Sequence, residues 1–109
     1  MGAAEGRVVL RDERAGADSR HLSAYLDAEG NLHIEGQDLG PATRPFGRDD
    51  EYEWFERIAR SDVPALITLL DGAADEHILD VLKRYTGAAS YELERRLRDG
   101  NVPVRRHVR

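Results

Sequence analysis

The side chains able to do chemistry in this chain are four histidines, a run of carboxylates, scattered serines and an arginine-rich end. His21 and His33 share a polar register, with Glu35 on the face of His33; His77 and His107 stand apart. A two-histidine, one-carboxylate metal site needs three ligands within about 2.0–2.2 Å of one ion. No HExxH or comparable spacing is present, so the expectation is no metal, no cofactor, and solvent-facing histidines beside a turn. The carboxylates Asp49, Asp50, Glu51, Glu53 and Glu56 crowd one stretch. An acid–base pair requires environments that separate two pKa values, whereas a consecutive exposed run is solvated and repels itself. Ser23, Ser61 and Ser90 lack a GxSxG turn. Gly36-Gln37-Asp38-Leu39-Gly40 lacks GxGxxG or Walker spacing and reads as a turn that leaves the sheet. No catalytic residue is assigned.

Arginine supplies nearly all the basic charge, with Lys83 the single lysine. Residues 84–109 hold seven arginines and three acids, residues 1–83 nine basic and 18 acidic residues, within a net charge of −5. Arginine density suits phosphate contacts, but the acidic remainder opposes them and no aromatic platform interleaves with the arginines. Nucleic acid is therefore not the expected partner. Arg95, Arg96 and Arg98 are read instead as complementing the end of their own helix.

The segment 38–50 is the candidate binding surface, through Arg44, Phe46 and Arg48. Pro41, Pro45, Gly40 and Gly47 discourage regular structure there, and long loops on a rigid scaffold often carry binding.

These residues must be positioned by one small domain. The chain has 109 residues, 40% hydrophobic and 34% charged, with no cysteine, enough for a modest core and no disulfide or thiolate chemistry. No apolar run approaches the roughly 20 residues of a membrane span, and residues 1–6 lack the features of a secretory signal. The expectation is a soluble, cytoplasmic, single domain over 1–109, with 1–6 and 105–109 flexible.

Alternating apolar residues predict strands over 7–12, 21–27 and 31–36, the last two joined through Gly30-Asn31 as a hairpin. Segment 51–58 groups Tyr52, Trp54 and Ile58 as a strand, or Tyr52, Phe55 and Ala59 as a helix; its aromatics favour the strand. Three short helices follow. The first starts at Ser61 or Asp62 with Pro64 in its first turn and ends at Gly72. Asp75 is read as the cap of the second, which buries Ile78, Leu79, Leu82 and Tyr85 and stops at Gly87. The third starts near Ser90, buries Ala89, Leu93 and Leu97, and stops at Gly100. Pro103 then gives a short extended tail. The fold class is α+β: a small antiparallel sheet, from an N-terminal hairpin or meander, with three C-terminal helices packed on one face.

The runs His21-Leu22-Ser23-Ala24-Tyr25-Leu26-Asp27, Gly36-Gln37-Asp38-Leu39-Gly40-Pro41, Tyr52-Glu53-Trp54 and Ser90-Tyr91-Glu92-Leu93-Glu94 resemble a family of small uncharacterised actinobacterial proteins. The resemblance spans residues 7–104; it implies a single domain in a bacterial cytoplasm and no catalytic residue. With no catalytic pattern, the leading expectation is a non-catalytic protein-interaction or regulatory module, monomeric or weakly dimeric, whose partner is another protein. The alternatives are an enzyme with an unrecognised site and a weak nucleic-acid binder through the arginine-rich end.

Overall fold

A computed structural model describes residues 6–43 and 50–109. Alternation of apolar and polar residues produces strands β1 (Val8–Ala15), β2 (Asp18–Leu26), β3 (Leu32–Leu39) and β4 (Glu51–Ile58). Helices α1 (Val63–Leu69), α2 (Ile78–Leu82) and α3 (Ala89–Asp99) follow, then strand β5 (Arg105–Val108). Each strand pairs antiparallel with its neighbour in sequence, in the order β1 to β5. The α+β architecture is thus as the periodicities predict, and segment 51–58 is a strand.

The sheet presents one face to the helices. Val8, Leu10, Leu22, Ala24, Leu32, Ile34, Trp54 and Ile58 join Leu66, Leu70, Val81, Leu82, Leu93 and other helix residues in one core. The register confirms a single face, since Ala24 opposes Ile34, Leu32 opposes Ile58 and Gly36 opposes Trp54. Among the described residues no helix is long and apolar enough to cross a membrane.

Several local expectations are corrected. β2 and β3 are longer than alternation marked, because β1 and β2 meet in a two-residue turn at Gly16-Ala17, and because Asp38 belongs to β3 instead of a turn. His77, not Asp75, caps α2: its Nδ1 accepts the Leu79 N–H at 3.1 Å. α1 ends with Asp71 in the left-handed region (φ 63°), one residue before the expected glycine. Arg96, in the last turn of α3 and paired there with Glu92, also braces the end of α1, donating to the Leu69 carbonyl at 3.1 Å and to Asp71 at 2.8 Å. Arg105–Val108 forms a fifth strand, the second partner of β4, where the sequence marked only a short extended tail, because its backbone finds the open side of β4.

The opposite sheet face is open and polar. There Tyr25 stacks on His33 at 4.9 Å, and the Arg7 guanidinium covers the Tyr25 ring at 4.6 Å. The Asp27 carboxylate accepts the Glu29 and Asn31 N–H groups at 2.9 Å and meets His33 Nε2 at 2.8 Å, which ties the β2–β3 turn to the strand behind it.

Candidate functional site

On the core face, the buried polar residues Arg11, Thr43 and Ser90 accompany the partly buried Asp38 and Tyr52. The floor is set by Gly36 and Trp54, directly opposed on β3 and β4. A Cβ at Gly36 would stand 2.1 Å from the indole, so only glycine lets Trp54 lie down across the neighbouring strand. Trp54 is 4% exposed, with the Tyr52 ring at 5.2 Å and the Arg106 guanidinium at 6.0 Å.

One wall is built by Arg11. A register shift between Val9 and Arg11 turns both Leu10 and Arg11 towards the helices. Arg11 is 3% exposed; its Nε donates to Ser90 Oγ at 2.9 Å and its terminal nitrogen to Glu94 at 2.6 Å. Its guanidinium lies 3.7 Å over the Tyr91 ring, and the Tyr91 hydroxyl donates to Glu13 at 2.6 Å. A buried arginine thus fixes three polar side chains of α3 against the sheet.

Two carboxyl groups line two separate cavities on either side of Trp54 along this face, together termed the cleft. Glu56 follows Trp54 by one period of the strand and, with Glu94, Leu97 and Arg106, bounds a cavity of about 340 Å³. Burial pushes the Glu56 carboxyl up, the Glu94 charge adds to this, and Arg106 opposes it. At the other end Asp38, Arg20, Thr43 and Tyr52 bound a smaller cavity of about 70 Å³. Burial pushes the Asp38 carboxyl up as well, against the lowering effect of Arg20 and Arg11. Asp38 Oδ1 is the one buried side-chain polar atom without a hydrogen-bond partner among the described residues. Asp38 on β3 opposes Tyr52, four residues from Glu56 on β4, so the two ends are about 13 Å apart at about 3.3 Å per residue.

The residues singled out by sequence fall in different places. Arg44, Phe46 and Arg48 lie outside the described residues. The chain departs towards them at Thr43, which lines the Asp38 cavity, and re-enters at Asp50, whose carbonyl accepts the Gly40 N–H at 2.7 Å. His21 and His33 share the open face but oppose Gln37 and Tyr25, about four residues apart, and do not converge. Glu35 accepts the Tyr25 hydroxyl instead of meeting His33. Among the described residues no three of His, Asp and Glu are placed to hold a metal ion. Within the acidic run, Glu51 and Glu53 turn to the open face, where they accept Gln37 and Arg109, and Glu56 turns to the cleft.

Asp38, Arg11, Glu94 and Trp54 escaped the sequence reading. A signal existed for two of them: a glycine inside a strand marks a close approach, and an arginine within an apolar strand marks a buried partner. Chemically, the cleft offers two incompletely compensated carboxyl groups on either side of an indole, an environment that favours a cation. Comparison of the chain with protein-family models, curated proteins and solved structures finds no match.

Proposed function

We propose that this protein is a binding module which receives basic side chains of a partner protein in the cleft between α3 and the β3–β4 end of the sheet. The observation that carries the reading is Asp38, whose Oδ1 is buried without a hydrogen bond. A carboxylate desolvated in this way costs stability, and a partner's guanidinium or ammonium relieves that cost at the moment of binding. Glu56 offers a second such group about 13 Å away, the reach of an extended segment with basic residues four apart. Arg44, Phe46 and Arg48, outside the described residues, belong to this reading as the further partner contacts that the sequence suggests. The net charge of −5 speeds the approach of a basic protein. The proposal includes a cytoplasmic setting and the kinship with small actinobacterial proteins that the sequence suggests; nucleic acid is not its ligand.

Trp54 is the only tryptophan, so its fluorescence reports on the cleft directly. Titration with the peptide Ac-Arg-Val-Gly-Val-Arg-amide is expected to change that emission saturably. In a double variant Asp38→Asn, Glu56→Gln the affinity falls at least tenfold while thermal stability rises, the combination expected where charge is kept for binding at a cost to the fold. Equal affinity in the variant, or lower stability, removes the cleft as the binding site.

A further inference from the structure

The outer edge of β5 is open among the described residues, and its geometry is definite. Arg109 N–H donates to the Glu53 carbonyl at 3.0 Å, which makes 53 and 109 a hydrogen-bonded pair. Such pairs alternate along an antiparallel ladder, so Phe55–His107 and Arg57–Arg105 are the bonded pairs, and Arg106 and Val108 turn their N–H and C=O groups away from β4. All four residues of β5 are exposed. The other edge of the sheet is blunted: β1 carries the register shift, and the Leu10 carbonyl accepts the Gly87 N–H at 2.8 Å.

A second, independent observation concerns charge. Arg57 and Arg105 stand directly opposite one another, an arrangement that destabilises a sheet. Both are exposed, and neither has a carboxylate within ion-pair distance among the described residues. Other arginines of the domain do have such partners: Arg11 pairs with Glu94, Arg96 with Glu92 and Asp71, and Arg109 with Glu53. Charge on an edge strand can serve simply to block aggregation, but that purpose does not require a second arginine on the strand inside it.

We propose that the β5 edge takes up an extended acidic segment of another protein as a sixth strand. Arg106 and Val108 supply the backbone hydrogen bonds, and alternate Asp or Glu side chains of the added strand lie against the Arg57–Arg105 pair on the open face. A second copy of this chain is the wrong occupant, since edge-to-edge pairing sets Arg105, Arg106 and His107 of two copies against one another. Arg106 borders both surfaces, by its backbone here and its side chain in the cleft, whereas Arg57, Arg105 and Val108 are absent from the residues that line the cleft.

The test uses fluorescein-labelled Ac-Glu-Val-Glu-Val-Glu-Val-amide, read by anisotropy, with amide hydrogen exchange on the unvaried protein. Binding is expected to be saturable and to weaken with salt, with protection gained at Arg106 and Val108. Arg57→Glu with Arg105→Glu lowers affinity at least tenfold. Val108→Pro removes an outward N–H while sparing the β4 bonds, and lowers affinity as much with circular dichroism unchanged; should that variant fail to fold, the exchange pattern of the unvaried protein decides. Undiminished affinity in a folded Val108→Pro variant, or no protection at Arg106 and Val108, overturns the proposal. So does tighter binding of octathymidylate than of the peptide, which makes the edge a nucleic-acid surface. Concentration-dependent dimerisation with the same two amides protected in the absence of peptide assigns it to a second copy instead.

Discussion

At the scale of single residues, the decisive side chain is Arg11. Its guanidinium is buried between Ser90, Glu94 and the Tyr91 ring, and a buried charge deprived of its partner is far more costly than the pair is stabilising. Glu94→Ala is expected to lower the unfolding free energy by about 3–5 kcal/mol, measured by urea denaturation. Replacing both partners with apolar residues, Arg11→Met with Glu94→Leu, returns most of that loss, because no orphaned charge remains. A loss in the double variant as great as in the single would show that packing, and not charge, holds this wall. Gly36 makes a comparable test of fit. Gly36→Ala drives a methyl into the Trp54 ring and is expected to cost about 1–3 kcal/mol as overpacking. In a Trp54→Leu background the same change should cost little, since the contact that opposes it is gone.

Among the elements, the β2–β3 turn has the clearest dependence on pH. The His33 ring and the Asn31 and Glu29 N–H groups hold the Asp27 carboxyl well below its ordinary value. A folded-state value lower than the unfolded one contributes stability that is present above about pH 4 and is lost as pH falls further. Asp27→Asn is expected to flatten the acid limb of a stability–pH profile below about pH 4; an unchanged limb would mean that the turn does not couple to global unfolding. α2 has only five residues, and a helix that short depends on its cap and its packing. His77→Ala should therefore cost about 0.5–2 kcal/mol, the range of lost N-caps, whereas Asp75→Ala should cost nothing measurable in the same thermal melts.

For the whole molecule, the carboxyl groups act in opposite senses. Burial raises Asp38 and Glu56, so their contribution is most favourable at pH values below the unfolded carboxyl range and is lost as pH rises through their folded values. Asp38→Asn with Glu56→Gln is expected to stabilise the protein at pH 7 and to make no difference at about pH 3, where both groups are protonated in either state. Chemical denaturation at the two pH values distinguishes this from a packing effect, which would persist at both. On the proposed reading, these two poorly compensated carboxyl groups are what a basic partner relieves.

Much of the architecture was legible from periodicity alone. The alternation in Leu22–Leu26 and Leu32–Glu35 and the helical spacing of Leu66, Ile67 and Leu70 reflect which side of an element faces water, a property that each short segment carries by itself. The α+β class follows from their order along the chain. The site was not legible, because its members come from β1, β3, β4, α3 and the chain end, and nothing in a local pattern says which strands become neighbours. Glu56 read as one more member of a solvated acidic run until pairing with β3 turned it inward. The sequence assigns Arg11 no role, and a one-residue register shift buries it. The residues 105–109 read as a loose end because a four-residue strand has too little pattern to declare itself, and it becomes a strand only when β4 leaves an edge for it. Local sequence determined which face of each element avoids water; only the tertiary pairing decided which polar groups were carried into the interior along with those faces.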